Sequence, residues 1–136
     1  MSKLLVIDDD HIEHMILQSL FTHYKLFEDN IHSEDGKISL DMLKKNRTDA
    51  SRLPDLILLD LYMPNFSGWD FLTQFNKIYR TFKKKIDIVI TSTSINPADM
   101  LKSKSYPFVK EFFIKPLTIE TLEELDSEYR AKEMHN

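Results

Sequence analysis

The chain of 136 residues contains no cysteine. That excludes a disulfide framework, a thiol nucleophile and any zinc site built on thiolates, and it fits a reducing compartment. No apolar run approaches the roughly eighteen residues needed to cross a bilayer. The N-terminal run Leu4-Leu5-Val6-Ile7 stops at Asp8-Asp9-Asp10, so it is no secretory leader. No internal repeat or low-complexity stretch is present. There is no excess of positive charge either. A net charge of −4 argues against a partner held through nucleic-acid phosphates. These absences leave a cytoplasmic protein with neither a membrane nor a nucleic acid as its expected partner.

What remains is ordinary in bulk: 42% apolar and 29% charged residues, as in a globular domain. The length suits one domain over residues 1–136, with a core over about 3–130, large enough to fold without staples. Short apolar runs alternate with helix-like segments, the pattern of a parallel sheet covered on both faces. The runs are Lys3 to Ile7, Asn30 to Ser33, Asp55 to Leu59, Ile86 to Ile90 and Glu111 to Ile114. Near-continuous apolar strands suit a sheet buried on both sides.

Between them, Asp10 can cap a first helix, with Glu13 closing a capping box. Ile12, Ile16 and Leu20 are its expected buried face. Ile38, Leu40, Met42 and Leu43 mark a second helix. Trp69, Leu72, Phe75, Asn76 and Tyr79 mark a third. Pro97 opens a fourth, capped by Asn96. Thr118 caps a fifth, whose inner face is Ile119, Leu122, Leu125 and Tyr129, with fraying from about Ala131. Right-handed crossovers then build an α/β, doubly wound (βα)5, three-layer sandwich. In such sheets the crevice lies at the carboxyl ends of the strands.

The strand ends carry a selective set: Asp8, Asp9 and Asp10 after the first, Asp60 after the third, Thr91 after the fourth, Lys115-Pro116 after the fifth. Taken singly, each reads as well or better as a turn or cap residue. All four on consecutive ends of one fold is a much rarer coincidence. Crowded carboxylates need a counter-charge, which Lys115 or a hard divalent cation can supply. Carboxylates with a backbone carbonyl and water suit Mg²⁺. A carboxylate can attack phosphorus, and phosphoryl transfer depends on positioning and on neutralising the equatorial oxygens. Asp60 is the expected nucleophile, with Thr91 and Lys115 holding phosphoryl oxygens.

Four stretches resemble the response-regulator receiver domains of two-component signalling: Leu5 to Asp10, Pro54 to Pro64 with Ser67-Gly68, Ile88 to Ser92, and Phe112 to Leu117. The resemblance covers nearly the whole chain. It implies a flavodoxin-like sheet in the order 2-1-3-4-5 and a phosphoprotein that is no enzyme beyond its own phosphorylation and dephosphorylation. Carried across, Asp60 is the phosphorylated residue, and Asp9, Asp60 and the backbone carbonyl of Tyr62 hold Mg²⁺ (or Mn²⁺), with Asp8 acting directly or through water. Thr91 and Phe112 are the switch pair, and Lys115-Pro116 is a cis peptide. The implied donor is a sensor histidine kinase or histidine phosphotransfer protein. Output is expected through protein contacts of the fourth helix, fifth strand and fifth helix, by a monomer or weak homodimer with no output domain.

The chain also departs from the family. Glycine is limited to Gly36 and Gly68, Ser92 stands where alanine is common, and Ser105 to Lys110 replaces a small-residue segment. A long connection around Asn46 to Arg52, with Thr93 to Asn96, is similar to single-domain regulators paired with phytochrome-type kinases. An unswitched interaction module is disfavoured by the complete set of acids, Thr91 and Lys115. A phosphohydrolase would want a second acid where Tyr62 stands. Tyr62 and Thr93 flank the approach of a hydrolytic water. His11 and His14 read as exposed polar residues, and His23, His32 and His135 as incidental. Lys83 to Lys85 reads as a solvated loop. Phe21, Phe27, Phe66, Phe71, Phe75 and Trp69 read as packing, and Tyr106, Pro107 and Phe108 as partly exposed.

Overall fold

The apolar runs become five parallel strands. In a computed structural model describing residues 2–134, Lys3–Ile7 forms β1, His11–Tyr24 α1, Asp29–Ser33 β2, Gly36–Lys45 α2 and Leu56–Asp60 β3. Gly68–Ile78 forms α3, Asp87–Ser92 β4, Pro97–Ser103 α4, Val109–Ile114 β5 and Ile119–Met134 α5. Short 3-10 turns occupy Ala50–Arg52 and Tyr79–Thr81. The sheet order is β2-β1-β3-β4-β5, all parallel, as the sequence implied. His135 lies outside the described residues.

Alternation along each strand divides the core. Leu4, Val6, Leu56, Leu58 and Val89 pack with Leu17 and Phe21 of α1 and Leu122, Leu125 and Tyr129 of α5. Ile7, Ile57, Leu59, Ile88 and Ile90 pack on the other face with Leu40 of α2 and Phe71, Leu72 and Phe75 of α3. Each buried aliphatic side chain contributes about 1.5–3 kcal/mol relative to exposure. Because β3 and β4 are buried along their whole length, their register is fixed by both faces at once.

Several local expectations are corrected. The buried face of α1 is His14, Leu17 and Phe21, whereas Ile12 and Ile16 are 65% and 50% exposed. Both stripes have helical spacing, and the sheet takes the one with the phenylalanine, which buries more area. Asp10 does cap α1, accepting from Ile12 N–H, but Glu13 forms no capping box and sits half-buried near Lys115. In α2, Ile38 and Met42 are exposed. Tyr79 leaves α3 for a 3-10 turn. β5 begins at Val109, and α5 runs to Met134 rather than fraying at Ala131, with Arg130 bonded to Asp126 and the Lys25 carbonyl. Phe108 is buried against Phe75 and Tyr79, because the chain before β5 folds inward. Lys84 is tied to Asp55 and the Leu53 carbonyl. Asn96 caps α4 with Pro97 at its first turn, and Thr118 accepts from Thr121 N–H at the start of α5.

Candidate functional site

β1, β3 and β4 end at the same level, so their last residues share one rim. Asp60 pairs with Thr91 in the β3–β4 register, and Asp8 follows β1 with its N–H bonded to the Ser33 carbonyl. Carboxylate oxygens of Asp8, Asp9 and Asp60 lie within 4.8 Å of one another. Asp8 and Asp60 are buried and Asp9 is exposed. Asp8 Oδ1 accepts from Asp10 N–H at 2.9 Å.

β5 brings in the cation. Lys115 Nζ is 2.6 Å from Asp8 Oδ2 and 3.6 Å from Asp60 Oδ1. Lys115 N–H donates to the Ser92 carbonyl at 2.8 Å, which joins the ends of β4 and β5. The Lys115–Pro116 peptide is cis. Burial works against the Lys115 charge, but its bond to Asp8 and the charges of Asp60, Asp8 and Glu13 outweigh that and hold its pKa above the usual range.

Asp60 is the perturbed carboxylate. Burial pushes its pKa up to about 6, with Asp8 and Asp9 adding to the rise while Lys115 and the Tyr62 N–H oppose it. Glu13 is raised as well, first by burial. Carboxylates with perturbed pKa values beside a specific charged partner cluster at functional sites, which makes Asp60 a candidate. The set of three carboxylates suits a hard divalent cation with oxygen preference, and Lys115 carries the positive charge among them.

Gly68 sets how closely α3 approaches the rim. A Cβ there would lie 2.3 Å from the Asp60 carbonyl oxygen and 2.6 Å from Leu61 Cα. Only glycine lets α3 start against the backbone of the nucleophile candidate, and Gly68 N–H closes the loop on the Leu61 carbonyl at 2.8 Å. Asn65, at φ 67°, turns that loop in a conformation asparagine tolerates. Ser67 caps α3 in a capping box with Asp70.

Thr91 and Ser92 are buried at the end of β4. Phe112 is half-buried on β5, opposite Ile90. The Tyr62 side chain is 53% exposed, and its hydroxyl donates to Asp99 of α4, which also accepts from Ser94 Oγ at 2.7 Å. Asp99 was not singled out in the sequence, and Ser94 only within the stretch Thr93 to Asn96, since no motif joins residues from two separate segments. A depression of about 870 Å³ opens at the other end of the strands among Asp55, Lys84, Asp87 and Tyr129. It is a salt-bridged basin away from the acid cluster.

The response regulator receiver domain family matches residues 4–125. The chain belongs to that family. It is 29% identical over 119 residues to the "Probable methanogenesis regulatory protein FilR2" of Methanothrix harundinacea, covering 88% of this chain and 75% of that one. It is 26% identical to sporulation initiation phosphotransferase F of Bacillus subtilis, covering 93% and 92%. Among solved structures, a two-component response regulator from Cytophaga hutchinsonii superposes with a TM-score of 0.82 at 26% identity, covering 94% and 96%. Several other curated relatives are longer, and the chain spans half or less of each. The chain is therefore a receiver domain of the two-component signalling family, and its fold is the flavodoxin-like fold of CheY-type proteins.

Proposed function

We propose that this receiver takes a phosphoryl group on Asp60 from the phosphohistidine of a sensor histidine kinase or phosphotransfer protein. A carboxylate oxygen of Asp60 bonds to phosphorus as the phosphorus–nitrogen bond of the donor breaks, and the imidazole leaves with that electron pair. The observation that carries this reading is the buried Asp60 carboxylate, grouped within 4.8 Å with Asp8 and Asp9 and 3.6 Å from Lys115.

Asp8, Asp9, Asp60 and the Tyr62 carbonyl would hold Mg²⁺ or Mn²⁺, which supplies charge neutralisation at the phosphoryl oxygens. Lys115 exchanges part of its contact with Asp8 for a phosphoryl oxygen. The Thr91 hydroxyl donates to another, drawing the end of β4 inward. Phe112 follows into the space vacated, which shifts the balance between two arrangements of the α4–β5–α5 face. Leu101 of α4 and Ile114 of β5 are 72% and 42% exposed, with Ile95 in the loop before α4 at 75%, which supports a protein-binding output surface. The domain acts in the cytoplasm as a switch rather than an enzyme on external substrates, as a monomer or weak homodimer.

Labelling with acetyl phosphate tests this. Intact-mass analysis should show one phosphoryl adduct in Mg²⁺, none in EDTA, and none in Asp60→Asn. An adduct that persists in Asp60→Asn, or wild-type protein that stays unmodified, defeats the reading.

A further inference from the structure

The rings of His14 and His32 meet behind the acid cluster. His14, on α1, is 6% exposed. Its Nε2 lies 2.6 Å from the backbone carbonyl of Asp8, and its Nδ1 lies 2.7 Å from Nδ1 of His32 on β2. The rings pack edge-on at 4.8 Å, and His32 stands beside Val6 in the β1–β2 register.

For a pair of neutral rings the protons follow from valence. A carbonyl only accepts, so Nε2 of His14 carries the hydrogen. In a neutral imidazole that leaves Nδ1 bare, so the proton between the rings belongs to Nδ1 of His32. His32 Nε2 is then an acceptor facing the Gln18 side-chain amide, whose oxygen is placed 3.2 Å away. Turning the Gln18 amide over supplies the donor, and its oxygen then accepts from the Thr22 hydroxyl, already within hydrogen-bond distance. Such amide orientations are assigned from the network. One chain of bonds thus runs from Gln18 through His32 and His14 to the Asp8 carbonyl.

That carbonyl belongs to the peptide unit carrying Asp9. The last bond between β1 and β2 is Asp8 N–H to the Ser33 carbonyl, and the Asp8 carbonyl beyond it is met by the His14 ring. The Asp8 carboxylate is held separately, by Asp10 N–H and Lys115. Rotation of the Asp8–Asp9 peptide would swing the exposed Asp9 away from Asp8 and Asp60. We propose that His14, seated by His32, is a positioning residue: it fixes the peptide between Asp8 and Asp9 so that both carboxylates face one divalent cation. This rests on the receiver reading above. A group that hydrogen-bonds a metal-binding residue from behind contributes to affinity without touching the ion.

Two measurements test it, neither reading phosphorylation. Nitrogen-15 NMR of the wild-type imidazoles should show the Nε2–H tautomer for His14 and the Nδ1–H tautomer for His32. The Nδ1–H tautomer at His14 overturns the proposal. Mn²⁺ binding is then followed by electron paramagnetic resonance. His14→Leu removes the donor and should weaken binding about 10-fold, the low end for such supports because the bond reaches backbone. His14→Gln keeps an amide N–H for the carbonyl and an oxygen for His32, and should bind within about threefold of wild type. A purely structural role would lower the melting temperature of both variants and leave Mn²⁺ affinity alone in folded protein. That result overturns the inference. Should His14→Leu not fold, the tautomers and His32→Phe decide: the latter keeps a ring and removes the proton donor, and unchanged Mn²⁺ affinity counts against the proposal. Wild-type protein that neither binds Mn²⁺ nor is labelled on Asp60 would instead end the receiver reading.

Discussion

Replacing Asp60 by asparagine should stabilise the metal-free protein, and the gain should depend on pH. Burial raises the Asp60 pKa from an ordinary 3.8 to about 6. The folded state therefore binds a proton more tightly than the unfolded chain. Below the unfolded pKa the carboxyl is protonated in both states and costs nothing. As pH rises from about 4 to about 6 the unfolded chain ionises first, so the wild type loses stability, and above about 6 the loss is complete. A shift of about two units corresponds to about 3 kcal/mol. That figure is already net of the attraction of Lys115 at 3.6 Å, and in the asparagine variant Lys115 keeps Asp8 at 2.6 Å. The expected net gain is about 1–3 kcal/mol at about pH 8 in EDTA, falling to roughly a third of that near pH 4.5. Urea unfolding at the two pH values, followed by circular dichroism, reads it directly. Mg²⁺ should narrow or reverse the difference: a ligand at about 100 times its Kd adds about 2.7 kcal/mol to the form that binds it. An asparagine variant no more stable than wild type at pH 8, or equally favoured at both pH values, refutes the idea that this buried charge is held at a folding cost.

Gly68→Ala should destabilise by about 2–3 kcal/mol, because its Cβ meets backbone rather than a movable side chain; an unchanged urea midpoint would show that α3 can shift at no cost. Tyr62→Asn should shorten the lifetime of the phosphorylated form, since asparagine cannot reach Asp99 and leaves the approach to Asp60 open. Decay of a phosphoryl label no faster than wild type would remove Tyr62 from that role.

The grouping of the candidate site was legible in sequence. Asp8, Asp60 and Thr91 each follow or end an apolar run, so locating the strand locates the residue, and a parallel sheet delivers all such ends to one rim. Lys115 was legible for the same reason, although the 107 residues separating it from Asp8 hide that it would be bonded to that acid. The faces of helices were harder. Ile12-Ile16-Leu20 and His14-Leu17-Phe21 are both acceptable stripes, and no local rule says which the sheet will cover. Reading His14 as exposed followed from that, and with it went the His14–His32 pair, since β2 and α1 meet only in three dimensions. Glu13 was assigned to a cap that the folded chain does not make, because a half-buried place near Lys115 was available to it.

By itself, the sequence determined the strands, their order of chemistry-bearing ends, and the family. These depend on composition over a few neighbouring residues, where apolar runs and turn residues act locally. Tertiary structure alone decided which faces are buried, which carboxylate Lys115 holds, how far the pKa of Asp60 is raised, and that two histidines stand behind the acid pair. Those depend on distances between segments far apart in the chain, and on the water that packing excludes from them.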